Sequence, residues 1–89
     1  MKTVNVVIVN KLGLHARAAA KLVQLSNQFT SAISLEKEGE KADAKSIMEV
    51  LMLAGAKDSR VRIVASGSDE VEAVEEIRQL IANRFEEDE

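Results

Sequence analysis

The sequence predicts an α+β domain with helices stacked on one face of a single sheet. Three observations lead there. Segments of strand-like alternation and segments of helical period interleave in the order β-α-β-β-α-β-α. The chain has only 89 residues, too few for two units that each bury a core, so residues 1–89 form one domain. Hydrophobic residues at 46% and charged residues at 30% match an ordinary soluble globular domain.

Each element has its own pattern. From Thr3 to Val9, β-branched residues alternate, Val4, Val6 and Ile8 facing one way and Thr3, Asn5 and Val7 the other, as a half-buried strand requires. After Asn10-Lys11-Leu12-Gly13-Leu14-His15 the period changes. Ala18, Leu22, Leu25 and Phe29 form an apolar stripe opposite Arg17, Lys21, Gln24 and Gln28, which defines an amphipathic helix. Ala32 to Lys37 and Glu40 to Ala44 read as two short strands around a tight Glu38-Gly39 turn, with Ile33 and Leu35 inward. Ser46 to about Leu53 is a short helix. Arg60 to Ser66 alternates Val61, Ile63 and Ala65 with Arg60, Arg62 and Val64 as a further strand. From Asp69 to about Arg84 the last helix turns Ala73, Val74, Ile77, Leu80 and Ile81 inward. Thr3, Asn5, Ser34, Glu36 and Arg62 are expected on a wet sheet face, and Glu86-Glu87-Asp88-Glu89 as a frayed, solvated end.

Composition narrows the function. No segment approaches the roughly 18 apolar residues of a membrane span, and Met1-Lys2 leads straight into the valine alternation without a secretory pattern, so a cytoplasmic location is expected with no membrane insertion. Zero cysteines exclude disulfides, thiol nucleophiles and Cys-ligated metals, and one histidine gives no His cluster; no metal or other cofactor is expected. A net charge of −3 is the wrong sign for phosphate-backbone affinity, and Phe29 and Phe85 are the only aromatics, so no nucleic acid is expected as a partner.

The three helix starts differ. Asp69 can cap the last helix, with Glu70 and Glu72 in its first turn, and Ser46-Ile47-Met48-Glu49 is a capping box in which each side chain satisfies a backbone donor. The first helix has neither device. Leu12-Gly13-Leu14-His15-Ala16-Arg17-Ala18 offers no capping side chain and no carboxylate, while Arg17 and Lys21 add positive charge. Open backbone donors at Ala16, Arg17 and Ala18, a positive dipole end and an arginine suit an anion. His15 lies at the edge of that site; a largely neutral imidazole can accept a phosphoryl group whose oxygens those donors hold. The bland reading is equally simple: His15 is a loop residue and water fills the open positions.

Gly13-Leu14-His15-Ala16-Arg17 with Ala19, followed some thirty residues on by Lys45-Ser46-Ile47-Met48, resembles the histidine-containing phosphocarrier protein (HPr) family of the bacterial phosphoenolpyruvate-dependent phosphotransferase system. Both motifs fall at the family's spacing, and the element order covers the whole chain. The resemblance implies an open-faced β-sandwich, a four-stranded antiparallel sheet covered on one face by three helices. It implies that His15 is phosphorylated on Nδ1 by phospho-enzyme I and passes the group to enzyme IIA domains, with Arg17 as the phosphate's charge partner. Such a protein is a monomeric carrier in a phosphotransferase relay, with no independent catalytic activity.

Ser46 matches the position at which a serine kinase/phosphorylase acts in many members, although capping alone also explains a serine there. The helix Ile47-Met48-Glu49-Val50-Leu51-Met52-Leu53 is apolar nearly all round. Either it is wholly buried, or its outer side, with Ile47, Met48 and Leu51, docks partners. Where the family usually has proline, this chain has Ala18, which loosens the helix start and adds one donor. Asn10-Lys11-Leu12-Gly13 and the acidic end resemble the nitrogen-related regulatory branch, whereas Lys45-Ser46-Ile47-Met48 resembles the sugar-transport branch. A second function stands beside the carrier: a regulatory binding module whose phosphorylation state alters a partner without onward transfer.

Overall fold

The computed structural model describes residues 1–53 and 55–87. The elements are β1 (Lys2–Val7), α1 (Ala16–Ser26), β2 (Ala32–Lys37), β3 (Glu40–Asp43), α2 (Ile47–Met52), β4 (Arg60–Ser66) and α3 (Glu70–Ala82), in the predicted order. The strands form one four-stranded antiparallel sheet in the spatial order β1-β4-β2-β3. Joining β1 to β2 through β4 places the last strand in the middle, which no local pattern specifies.

Register sorts the two faces. Val4 lies opposite Ile63, Ile63 opposite Leu35 and Leu35 opposite Ala42, so an inward apolar row crosses the whole sheet. The neighbouring row, Asn5, Arg62, Glu36 and Lys41, carries the polar face, and Arg62 pairs with Glu36 at 3.8 Å. The helices cover the inward face. Ala18, Ala19 and Leu22 from α1, Val50 from α2, and Ala73, Val74, Ile77 and Ile81 from α3 are all buried against it. Small alanines on α1 and α3 let those helices approach closely, and burial of the larger aliphatics contributes about 1.5–3 kcal/mol each.

Local chemistry explains the connections. Lys37 pairs with Glu40, leaving a two-residue hairpin loop in which Glu38 has φ 51° and Gly39 has φ 84°. Two positive φ angles match the right-handed twist of the flanking strands, and glycine at the second position adopts its angle without strain. At α2, Ser46 Oγ accepts from the Glu49 amide at 3.3 Å as the capping box predicts. The Glu49 carboxylate instead accepts from the Asp43 amide at 3.0 Å, tying the helix to β3.

Several expectations are corrected. β1 ends at Val7 and not Val9, although Ile8 remains buried and exchanges backbone bonds with Asp58 and Ser59. β3 ends at Asp43. Asp69 stands at the N-cap of α3 but makes no side-chain cap bond there. Its carboxylate accepts from the amides of Thr30 and Ser31, at 2.9 and 3.0 Å, and from the Ser31 hydroxyl, bolting the entrance of β2 to the start of α3. The hydrogen bond from Ser31 is the leading cause, with those from Thr30, that brings the Asp69 pKa down to about 2. α3 stops at Ala82 and not Arg84, and the chain then reverses hand: Arg84, Phe85 and Glu86 have φ of 57°, 53° and 65°.

Candidate functional site

The loop between β1 and α1 is shaped by Asn10 and Gly13. The Gly13 amide donates to Asn10 O at 3.2 Å, and Asn10 Nδ2 donates back to Gly13 O at 2.8 Å. Gly13 has φ +62°, and a Cβ there would lie 2.3 Å from Gly55 O, so both backbone angle and close approach require glycine. The Leu14 amide donates to that same Gly55 oxygen at 2.7 Å, and Leu14 is buried. The loop is thereby pinned to the segment after α2, and the next residue, His15, is fixed at the mouth of α1.

His15 is the N-cap of α1, with φ −78° and ψ 179°; its side chain makes no cap bond and the first turn holds no carboxylate. The Ala19 amide donates to His15 O at 2.8 Å. The amides of Ala16, Arg17 and Ala18 have no acceptor among the described residues. The open helix start expected from sequence is therefore present, with the only histidine beside it and Arg17 exposed in the first turn. An open cleft of about 880 Å³ is lined here by Lys11, Leu12, His15, Arg17, Lys21 and Glu87, among others.

Glu87 enters this cleft, contrary to the solvated tail expected from sequence, whereas Glu86 is exposed as expected. Phe85 is fully buried and anchors the chain end, and Lys21 Nζ donates to Phe85 O at 2.8 Å while approaching Glu86 at 3.6 Å. Glu87 then reaches back: one carboxylate oxygen accepts from Asn10 Nδ2 at 3.0 Å, and the other bonds His15 Nε2. Asp88 and Glu89 lie outside the described residues. Burial pushes the Glu87 pKa upward, but hydrogen bonds from Asn10 and His15, with the charges of His15 and Arg17, outweigh it, so the carboxyl sits below its ordinary range. Three consecutive left-handed residues are an expensive route, since each costs an L-amino acid about 1–2 kcal/mol. Phe85 burial and the Lys21 bond hold that route in place.

Glu87 and Asn10 are thus site neighbours that sequence reasoning missed. Phe85, an aromatic set just before the acidic run, is the one local hint of an anchor, and it does not say where the tail goes.

Ser46 is half-buried at the start of α2, its hydroxyl engaged by the Glu49 amide. Of the two readings of α2, the structure favours exposure: Val50 and Leu53 are buried, while Ile47, Leu51 and above all Met48 (66% exposed) face outward. Met52, at 76% exposed, extends that apolar surface and was not singled out from sequence. α2 packs against α1, so the surface lies on an element adjoining the one that carries Arg17. No helix among the described residues is long and apolar enough to cross a membrane.

Known proteins share both sequence and architecture. The family model described as PTS HPr component phosphorylation site matches residues 2–83. The phosphocarrier protein HPr of Cupriavidus necator is 53% identical over 78 residues, 88% of each chain, and that of Pseudomonas aeruginosa is 41% identical over 90 aligned positions covering both chains completely. The crystal structure of HPr-C-His from Thermoanaerobacter tengcongensis superposes with a TM-score of 0.96 at 43% identity over the whole of both chains. A structure described as an HPr dimer from the same organism gives 0.79 at 44% identity, covering 98% of this chain and 100% of that one. With a matching family over nearly its full length, and with the four-stranded sheet and three helices of those structures, this chain belongs to the HPr family of phosphotransferase-system phosphocarriers.

Proposed function

We propose that His15 is the residue that carries the phosphoryl group, taking it from phospho-enzyme I on Nδ1 and handing it to enzyme IIA domains in the cytoplasm. The observation that carries this reading is the unpaired amides of the exposed Ala16 and Arg17, with that of the buried Ala18 behind them, beside the only histidine at the positive end of an eleven-residue helix. A phosphate on His15 gains those donors and the Arg17 guanidinium. Each such interaction is modest, about 0.3–1 kcal/mol for the dipole at an exposed helix end, and modesty suits a carrier. A deeply bound phosphate would not be given up.

The exposed apolar face of α2, with Ile47, Met48 and Leu51, supports docking of the donor and acceptor proteins, which supply the acid-base chemistry this chain lacks. Regulation by a serine kinase/phosphorylase at Ser46 is consistent with a half-buried hydroxyl at a helix N-cap. Phosphate is tolerated there by the dipole and acts by repelling an acidic partner rather than by unfolding.

The test is incubation with phosphoenolpyruvate and enzyme I, followed by phosphorus NMR. An acid-labile phosphohistidine signal is expected in the parent chain and none in His15→Ala, whose fold should persist because the side chain is not in the core. Labelling of His15→Ala at the parent rate would refute the assignment. Labelling of the parent without onward transfer to any IIA domain would favour the binding-module function; transfer to sugar-specific or to nitrogen-related IIA proteins assigns the branch.

A further inference from the structure

We infer that Glu87 is a positioning residue for His15: held by Asn10, it keeps the imidazole proton on Nε2, leaves Nδ1 as the free nucleophile, and balances the ring's positive charge once Nδ1 is phosphorylated. This inference rests on the carrier role proposed for His15. Its first part follows from hydrogen-bond chemistry. An ionised carboxylate can only accept, and the Glu87 carboxyl is held below its ordinary range. The Nε2 that it bonds must therefore donate. In the neutral ring the lone pair then belongs to Nδ1, the nitrogen to which phosphoryl transfer is assigned.

The second part follows from the balance of the transfer. The Nδ1 lone pair attacks phosphorus, the bond from phosphorus to the donor atom of phospho-enzyme I breaks, and that atom keeps the bonding pair. No proton leaves the accepting ring, so the phosphorylated imidazole retains its Nε2 proton and becomes cationic. Glu87 Oε2 sits against that proton. On onward transfer the Nδ1–phosphorus bond breaks and its pair returns to Nδ1, regenerating the same tautomer.

The surrounding geometry shows that the contact is built rather than incidental. Asn10 is fully buried, and its amide group bridges Gly13 O, in the loop that sets His15, to the second Glu87 oxygen. The chain reaches this point through three left-handed residues clamped by buried Phe85 and by Lys21. Of the charged groups lining the cleft, Lys11, Arg17, Lys21 and Glu86 accompany Glu87, and only Glu87 bonds the ring among the described residues. Its side chain is 12% exposed, against 27% for His15, so solvent screens this pair only in part.

The test uses full-length protein labelled with nitrogen-15 in histidine. In the unphosphorylated parent, under conditions where the ring is neutral, it should show a protonated Nε2 and a bare Nδ1. In Glu87→Ala both nitrogens should move toward the averaged shifts of mixed tautomers. After phosphorylation, the parent ring should hold its Nε2 proton to higher pH than the Glu87→Ala ring, and the equilibrium with phospho-enzyme I should fall by roughly three- to tenfold in the variant. Glu87→Gln keeps an acceptor oxygen but no charge. It should retain the Nε2–H tautomer while losing the shift in the phosphorylated form. Unchanged ring signatures and unchanged titration in Glu87→Ala would overturn the inference. Failure of the parent to be labelled at His15 would overturn the carrier reading instead, and the tautomer measurement would still decide what Glu87 does to the free ring.

Discussion

Replacing Ala18 by proline probes whether the start of α1 is an open array of donors. Ala18 is the third helical residue, and its amide, like those of Ala16 and Arg17, has no acceptor among the described residues. A proline there removes no hydrogen bond, but Ala18 is fully buried, so the ring carbons must be taken up by the packing around the start of α1. A proline compatible with its site stabilises by about 0.4–1 kcal/mol, because the unfolded chain loses freedom. Unfolding entropy of about 2.1 cal/mol/K per residue amounts to roughly 190 cal/mol/K for 89 residues. The thermal midpoint should then rise by about 2–5 °C. Arg17, as the residue before proline, is disfavoured in the helical region it occupies, which places the expectation in the lower half of that range. Calorimetry of the unphosphorylated protein reads the shift directly. In the phosphorylated protein the gain should be smaller and the phosphohistidine shorter-lived, since one of three donors is gone. A lowered midpoint in the unphosphorylated protein would refute the expected gain, for it would mean that the Ala18 amide is bonded, that residue 18 is not at a helix start, or that the buried site does not accept the ring.

Two further outcomes follow from named contacts. Asp69 has a folded pKa of about 2 against an ordinary 3.8, so its contribution is fully present above the ordinary value and is lost as pH falls from about 4 to 2. Asp69→Asn should therefore be less stable than the parent at pH 7 and show a shallower loss of stability over that acid range in urea titrations; identical acid profiles would show that the carboxylate does not bind the β2 entrance to α3. Met48→Asp should leave the midpoint within about 3 °C of the parent, because 66% of the side chain is exposed and a carboxylate in the first turn of α2 suits the dipole. Its affinity for enzyme I should fall in calorimetric titration, and unchanged affinity would remove Met48 from the docking surface.

Much of this protein is determined by its sequence alone, because local physics suffices for it. Alternation of period 2 places β4 at Arg60–Ser66, and the Glu38-Gly39 pair between two β-rich stretches specifies the hairpin. The change to period 3.6 after Gly13, together with a helix start that has no cap and no carboxylate, marks the donor array beside His15. Each of these depends on residues within a few positions of one another, where periodicity and capping act.

Other features depend on residues distant in sequence, and only tertiary packing decides them. Whether Ile47, Met48, Leu51 and Met52 are buried is not set by their uniform apolarity but by how much of α2 the sheet and α1 can cover, which leaves only Val50 and Leu53 inside. The Asp69 carboxylate passes over the amides of its own helix because Thr30 and Ser31, brought from the β2 entrance, offer it three donors at once. The tail shows the same thing most clearly. Acidic residues at a chain end are solvated by default, yet Phe85 finds a fully buried site, the backbone is bent through three left-handed residues, and Glu87 arrives between Asn10 and His15, 77 and 72 residues away along the chain. Loop-closure entropy grows only slowly with such separations, so one well-buried aromatic and a few charged hydrogen bonds can hold the end of the chain against its beginning. No local pattern encodes that choice, since its energy resides in contacts that exist only once the sheet and helices have assembled.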